Sequence, residues 1–229
     1  MMSTVTSQAG TQAHVPEPGG PEASSLPPVR RHDVIDELAR LDEAVYRAIE
    51  QTSTPLIDVP LRRVAAVADY SALWFGVAAL LFVFGGHSGR RAALTGMAAI
   101  GLNSSIVNVP IKRAAKRERP VRAAEFENEA RRLRMPKSRS FPSTHAASAL
   151  AFATAVSSSK PELGWALRTL AAIVAYSRVH CGVHYPGDAL AGALVGITVG
   201  EGTALFIDGL IAHFRPRRVF FLSRLARWL

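Results

Sequence analysis

Residues 70–89, YSALWFGVAALLFVFGGHSG, hold no Asp, Glu, Lys or Arg, and residues 92–111, AALTGMAAIGLNSSIVNVPI, hold none either. About 20 mainly apolar residues suffice to cross a bilayer as a helix. Two such stretches in succession set the class. Three weaker ones follow at about 144–159 (THAASALAFATAVSSS), 163–178 (LGWALRTLAAIVAYSR) and 187–212 (GDALAGALVGITVGEGTALFIDGLIA). Arg168, Glu201 and Asp208 dilute the last two, and a buried helical core in a water-soluble protein is the alternative they leave. A soluble chain rarely carries two uncharged 20-residue runs side by side, so the pattern predicts an all-α, polytopic membrane helix bundle of about five transmembrane helices.

Outward from the spans the composition changes. Residues 1–30 are rich in Ser, Thr, Gly and Pro and contain no apolar run, so they are expected to be a disordered polar N-terminus rather than a signal peptide. Residues 31–68 form an expected interfacial segment. In DVIDELARLDEAVYRAIEQ (33–51), Val34, Leu38, Leu41, Val45, Ala48 and Ile49 recur at helical spacing among charges too dense to span. Pro55 and Pro60 are expected to break the chain before the first span. The span region proper is 69–212. Residues 213–229, with RPRRVFFLSRLARWL, mix Arg217, Arg218, Arg224 and Arg227 with Phe220, Phe221, Leu225 and Trp228, a basic amphipathic tail suited to an anionic leaflet.

The net charge of +9 sits in two places. Residues 112–139 hold eleven Lys/Arg against four Glu, and residues 209–229 hold five Arg and no acid, while the first 69 residues have six Arg against ten Asp/Glu. Nucleic acid needs basic residues on a soluble scaffold, which the hydropathy denies. A basic loop between membrane helices instead suggests an anionic headgroup or lipid phosphates. The single cysteine, Cys181, excludes a disulfide framework and a multi-cysteine zinc site.

Three polar groups sit at span ends: Lys112 with Arg119-Pro120 after the second, Pro142-Ser143-Thr144-His145 opening the third, and Ser177-Arg178 through His184 to Asp188 between the fourth and fifth. With five alternating crossings, all three lie on one face. Two histidines, a carboxylate, three cations and a hydroxyl then meet at the rim of the bundle, a set suited to phosphoryl transfer, which rests on positioning and on neutralising charge.

These residues resemble the type 2 phosphatidic acid phosphatase and vanadium haloperoxidase superfamily. Its pattern is Lys, six residues, Arg-Pro; then Pro-Ser-Gly-His; then Ser-Arg, five residues, His, three residues, Asp. The match covers about residues 55–210 in the right order, with Thr144 where the family usually has Gly, and is similar to small bacterial undecaprenyl-diphosphate phosphatases. The resemblance implies His184 as the nucleophile forming a phosphohistidine, Asp188 holding its other nitrogen, and His145 as general acid and then base. It implies Lys112, Arg119 and Arg178 as the phosphate clamp, with Ser143 and the Thr144 amide completing it, and no metal or cofactor. At position 144 a left-handed backbone would strain Thr.

Other readings compete for the same atoms. His180, His184 and Asp188 recur every four residues and could ligate zinc on a continuous helix, which Gly182, Pro186 and Gly187 oppose. Cys181 lacks the Arg at position 187 that a Cys-five residues-Arg phosphatase loop needs, since Gly187 is there. Gly192, Gly196 and Gly200 suggest close helix packing, and Glu201 is expected to turn inward. The function read from the chain is hydrolysis of a lipid phosphate or diphosphate, with polyprenyl diphosphate, a phosphorylated polyprenyl sugar and phosphatidate all fitting. A vanadate-dependent haloperoxidase and a non-catalytic lipid binder are the rivals. The expected location is the plasma membrane, multi-pass; the positive-inside rule puts the site in the cytoplasm and the resemblance puts it outside, so the side and the oligomeric state stay open.

Overall fold

The computed structural model describes residues 31–123 and 128–214. The expected polar N-terminus and the tail from residue 215 onward lie outside the described residues. The elements are α1 (Arg31–Gln51), α2 (Pro55–Val67), α3 (Ala72–Phe84), α4 (Gly86–Ile106), α5 (Lys112–Ala114), α6 (Thr144–Ser159), α7 (Gly164–His180) and α8 (Pro186–Phe214), with no strand among the described residues. The third to fifth expected spans coincide with α6, α7 and α8 to within two residues.

Helix α6 is the axis of the bundle. Every residue from Ala146 to Val156 is buried, most of them alanine, and α4, α7 and α8 pack around it. Small side chains let the backbones approach, and α8 takes this furthest. A Cβ on Gly192, Gly196 or Gly200 would stand 2.4, 2.2 or 2.6 Å from the carbonyl oxygens of Ser143, Ala147 and Ala151. The glycine stripe is therefore a packing surface, as its spacing suggests. Gly96 of α4 meets Phe152 in the same way, and Trp74 closes the far side with its ring 5.2 Å from Phe152.

Among the described residues two helices are long and apolar enough to cross a membrane, Gly86–Ala114 and Pro186–Phe214, and the bent pair α2–α3 makes a third if taken as one span. Helices α6 and α7, at 16 and 17 residues, fall short of that length. The count of five expected spans thus resolves into two full-length helices, a broken pair and two shorter helices, because α6 is sheathed by its neighbours and needs no long lipid face.

Residues 70–89 are not one helix. Tyr70 and Ser71 have φ of 53° and 61°, a left-handed pair that turns the chain through 62° between α2 and α3. Non-glycine residues hold such angles only when their surroundings dictate it. At the other end Gly85-Gly86, with Gly86 at φ 64°, ends α3 and starts α4, so Arg90 and Arg91 lie inside a helix and Arg91 pairs with Asp208 of α8. The prolines also behave otherwise than expected. Pro55 opens α2 at its first turn, where an N–H has no partner anyway, and Pro60 sits within α2 at the loss of one backbone bond.

Glu201 does not turn inward. It follows Gly200 by one residue, about 100° around the helix, and lies exposed on the outer face of α8. A charge near the centre of a membrane helix costs about 2.5–3.5 kcal/mol on insertion scales. Helix α1 likewise keeps its apolar stripe uncovered, with Val34, Ile35, Leu38, Leu41 and Val45 all exposed.

Candidate functional site

All the charged ends expected on one face meet there. Helix α4 ends in a π-helical turn, Val107–Ile111, that contains Pro110 and delivers Lys112 to the mouth of the bundle. Such turns are frequent at functional sites. From Lys112 the chain passes Arg117 and Arg119, returns at Ser138–Ser140, and enters α6 at Thr144, while the turn between α7 and α8 brings in His184 and Asp188.

His184 is 1% exposed. Its Nδ1 lies 3.6 Å from Asp188 Oδ2 and 3.4 Å from Ser140 Oγ, and its Nε2 lies 3.3 Å from Arg119 Nη1. Asp188, wholly buried in the first turn of α8, accepts from the Ser140 hydroxyl, from the Tyr185 amide (2.9 Å) and from Arg117 Nη1 (3.0 Å). Burial holds the His184 imidazole down at about 4, against the opposing pull of Asp188, so the ring is neutral at pH 7. With Nδ1 turned to the carboxylate, the free lone pair is on Nε2, which faces a guanidinium.

Arg119 is fixed by Ser138 O (2.8 Å) and Val183 O (2.6 Å). Its pKa is lowered to about 10 by burial and by Arg178, and it stays cationic throughout the working range. Lys112 Nζ donates to Ser138 Oγ (3.3 Å), which also accepts from Arg119 Nη2 (3.1 Å), so one hydroxyl draws the two cations together.

A second group completes the site. His145 Nε2 lies 3.0 Å from Asp69 Oδ1, and Arg178 Nη1 donates to the same oxygen at 3.0 Å and to Ala65 O at 3.1 Å. The buried Nε of Arg178 makes no hydrogen bond. Lys112, Ser138, Thr144, His145, Arg178 and Asp69 line one cavity of about 670 Å³, with Trp74 of α3, Ser104 of α4 and Asn108 of the π-helical turn also on its wall.

Ser143 and Thr144 sit differently from each other. Ser143 is fully buried, its hydroxyl accepts from the Ala146 amide (3.4 Å) to cap α6, and its amide donates to Asp188 O (2.9 Å). Thr144 faces the cavity, donates to Asn108 Oδ1 (3.2 Å), and keeps a helical backbone rather than a left-handed one, so Thr stands without strain where the family pattern has Gly. Thr144 and His145, in the first turn of α6, line the cavity, and a helix N-terminus favours an anion.

His180 and His184 do not share a ligand sphere. His180 Nε2 lies 2.9 Å from Asp58 on α2, and among the described residues no three His, Cys, Asp or Glu side chains group as metal ligands. Cys181 is buried, and burial raises its thiol to about 11.

Sequence reading missed Asp69, Arg117, Ser138 and Ser140. Asp69 is the last charge before the first span, so alternation of crossings puts it on the site face. Arg117 lies within the Lys112–Arg119 motif, with no spacing signal of its own. Its guanidinium bridges Asp188 and Asp42 of α1 (2.6 Å) and stacks 4.2 Å from the Tyr185 ring. Asp42 also accepts from the Gly187 amide (2.7 Å), tying α1 to the start of α8.

Residues 92–211 match the model of the PAP2 superfamily. A 61-residue stretch is 38% identical to the Bacillus subtilis (strain 168) undecaprenyl-diphosphatase BcrC, covering 27% of this chain and about a third (32%) of that relative's length. The fold is similar to the crystal structure of Aquifex aeolicus LpxE (TM-score 0.58, 30% identity, 71% of this chain and 94% of that one). It is also similar to a transmembrane PAP2-type phosphatidylglycerolphosphate phosphatase from Bacillus subtilis (TM-score 0.61, 23% identity, 79% and 90%).

Proposed function

Because the chain belongs to the PAP2 superfamily, we propose that it hydrolyses a membrane lipid diphosphate by way of a phosphohistidine at His184. The observation that carries this is the orientation of His184, whose Nδ1 is turned to Asp188 and Ser140 while Nε2 faces Arg119. Nε2 attacks the terminal phosphorus, and the bond from phosphorus to the bridging oxygen breaks, its electron pair leaving with that oxygen. Asp188 stabilises the imidazolium, and Lys112, Arg119 and Arg178 neutralise the non-bridging oxygens. His145 supplies a proton to the leaving oxygen where one is needed. It then takes one from the water that attacks the phosphohistidine, releasing inorganic phosphate and restoring His184. The fixed cations fill the role that a divalent ion has in other phosphatases.

The leaving-group side favours a diphosphate. Arg134 and Lys137 line the cavity beside Lys112 and make no ion pair among the described residues, while its acid, Asp69, is already matched by Arg178 and His145. A leaving group that is itself a phosphate would use these cations; an alcohol would not. Trp74, Met135 and the α3–α4 side suit a long apolar chain, and the likeness to an undecaprenyl-diphosphatase supports a polyprenyl carrier. We read the protein as multi-pass in the plasma membrane, with α1 lying in the interface on its exposed apolar stripe and the basic 112–139 segment against anionic lipids.

The test is phosphate release from a panel of lipid mono- and diphosphates in excess EDTA. Activity that persists, inhibition by vanadate and an acid-labile phosphoenzyme absent from His184→Ala support the reading. Inactivation by EDTA that Mg²⁺ or Zn²⁺ reverses overturns the fixed-cation mechanism, and a phosphoenzyme that survives His184→Ala overturns the nucleophile.

A further inference from the structure

The carboxylate beside His184 has a second carboxylate behind it. Arg117 stands between the two: its Nη1 donates to Asp188 Oδ1 at 3.0 Å, and its Nη2 lies 2.6 Å from Asp42 Oδ2 on α1. With Oδ1 held by Arg117, the other oxygen of Asp188, Oδ2, is the one 3.6 Å from His184 Nδ1. The Arg117 guanidinium also sits 4.2 Å from the centre of the Tyr185 ring, and Tyr46 of α1 meets that ring edge-on at 5.5 Å. Asp42 is fixed in turn, since its Oδ1 accepts from the Gly187 amide at 2.7 Å. A Cβ on Gly187 would stand 2.8 Å from Asp42 Oδ2, so glycine at that position leaves the carboxylate its place.

This arrangement does more than tie α1 to α8. Arg117 is not among the residues lining the phosphate cavity, so it is not placed to hold phosphate. Alone against Asp188, its cation would offset the negative charge that supports an imidazolium at His184. Asp42 returns that charge, because two carboxylates and one guanidinium carry one net negative charge between them. Facing His184 or Asp188 from the other elements are the cations Lys112 and Arg119, after α4, and Arg178 of α7, itself paired to Asp69. The Tyr185 phenol lies beside Arg117. In a surround so rich in cations, the charge left on Asp188 depends on Asp42.

We propose that Arg117 and Asp42 are positioning residues for the nucleophile, through which α1 sets the orientation and charge that Asp188 presents to His184. The inference rests on the reading of His184 as the nucleophile and makes the first helix a part of its support. Its two members act with opposite sign. Asp42→Asn leaves Arg117 to neutralise Asp188, so kcat should fall by about tenfold or more with KM within about twofold. Arg117→Met leaves two carboxylates unopposed, which favours protonated His184. The neutral ring reacts and exists only above its pKa, so the acid limb of kcat/KM should move up by about one pH unit. The two substitutions together restore one net negative charge and should bring kcat back to within about threefold of the parent. Gly187→Ala changes no charge but displaces the Asp42 carboxylate, and should reproduce part of the Asp42→Asn loss.

The test uses the full-length chain in lipid nanodiscs, with phosphate release from a polyprenyl diphosphate followed across pH for each variant. In parallel, ¹⁵N NMR of histidine-labelled protein without substrate reads the ionisation of His184, its signal identified by loss in His184→Ala. A higher His184 titration in Arg117→Met and recovery of kcat in the double variant support the proposal. A simple tether between α1 and α8 predicts losses that add in the double variant and a titration that stays where it was, and either result overturns the proposal. Parent-level kcat in both Asp42→Asn and Gly187→Ala overturns it as well, and that arm holds even where Arg117→Met fails to fold. Absence of turnover by the parent on every lipid phosphate strikes the proposed function instead, and the substrate-free titration still decides the role of the pair.

Discussion

Two buried aspartates in this molecule have almost the same company and different surroundings. Asp188, 0% exposed, sits with His184, Arg117 and Ser140. Asp58, 2% exposed, sits with His180 (2.9 Å), Arg131 (2.8 Å), Thr54 (2.7 Å) and Asn128 (2.8 Å). Each is an Asp–His–Arg cluster with a hydroxyl, and the two histidines are four residues apart. They differ in what is left over. Arg131 also donates to the carbonyls of Ile49, Glu50 and Thr52, and beside His180 there is space of only about 30 Å³, room for a single water. That cluster clamps α1 and α2 to the 128–131 segment and leaves the Nδ1 of His180 buried without a hydrogen bond. Around Asp188 the histidine turns its second nitrogen to Arg119, and beyond them opens a 670 Å³ cavity lined by Lys112, Arg178 and His145 though not by His184 itself. Surrounding cations and room separate the candidate site from a rivet of like composition.

The comparison breaks most sharply at the histidines. His184→Ala should abolish phosphate release, by about 10⁴-fold or more, as loss of a nucleophile does. His180→Ala should leave the turnover of folded protein close to that of the parent. Equal losses in a lipid-phosphatase assay would mean that both clusters serve the reaction. At the aspartates, Asp188→Asn should lower kcat by about 10³–10⁴-fold with substrate binding little changed. Asp58→Asn should show mainly as lost stability, up to about 3–5 kcal/mol for a broken buried pair, read as a fall in thermal midpoint.

His145 sharpens the contrast between substrates. His145→Ala should cost about 10²–10⁴-fold on a lipid monophosphate, whose alkoxide needs a proton, and less on an activated aryl phosphate. Equal losses on both would reduce His145 to a phosphate contact. The smallest effect is with pH. His184 is held at about 4 by burial, and the reactive form is the neutral one, present above that value. Between pH 7 and pH 5 the acid limb of kcat/KM should therefore fall by less than about a third; a limb near the ordinary histidine value of 6.5 would show an exposed or recharged ring.

Much of this was legible in the chain because it rests on spacing. Uncharged runs located the helices, the glycine stripe of α8 announced close helix packing, and alternation of crossings brought Lys112, His145, Arg178 and Asp188 to one face. What spacing could not carry was the left-handed pair at Tyr70 and Ser71, which ordinary residue types conceal, and the turn at Gly85-Gly86 that moved Arg90 and Arg91 into a helix. Nor could it sort His180 from His184, since the partner that decides each, Asp58 or Asp188, is distant in sequence or shared in type. Asp69 was seen only as the edge of an apolar run, although its bond to His145 crosses 76 positions, from residue 69 to residue 145. Glu201 was misjudged because a single charge on an apolar helix carries no sign of which side it faces.

The sheathing of α6 has a consequence for how the protein is made. Its 16 residues, THAASALAFATAVSSS, are too few and too rich in Ala, Ser and Thr to partition into a bilayer alone. The helix gains its surroundings only when α4, α7 and α8 close on it. During synthesis it must wait in a hydrated or protein-lined compartment until α8 emerges, some 55 residues after its own last one. Biogenesis of the axis thus depends on α8, and chains halted before it are expected to be substrates for membrane quality control rather than stable intermediates.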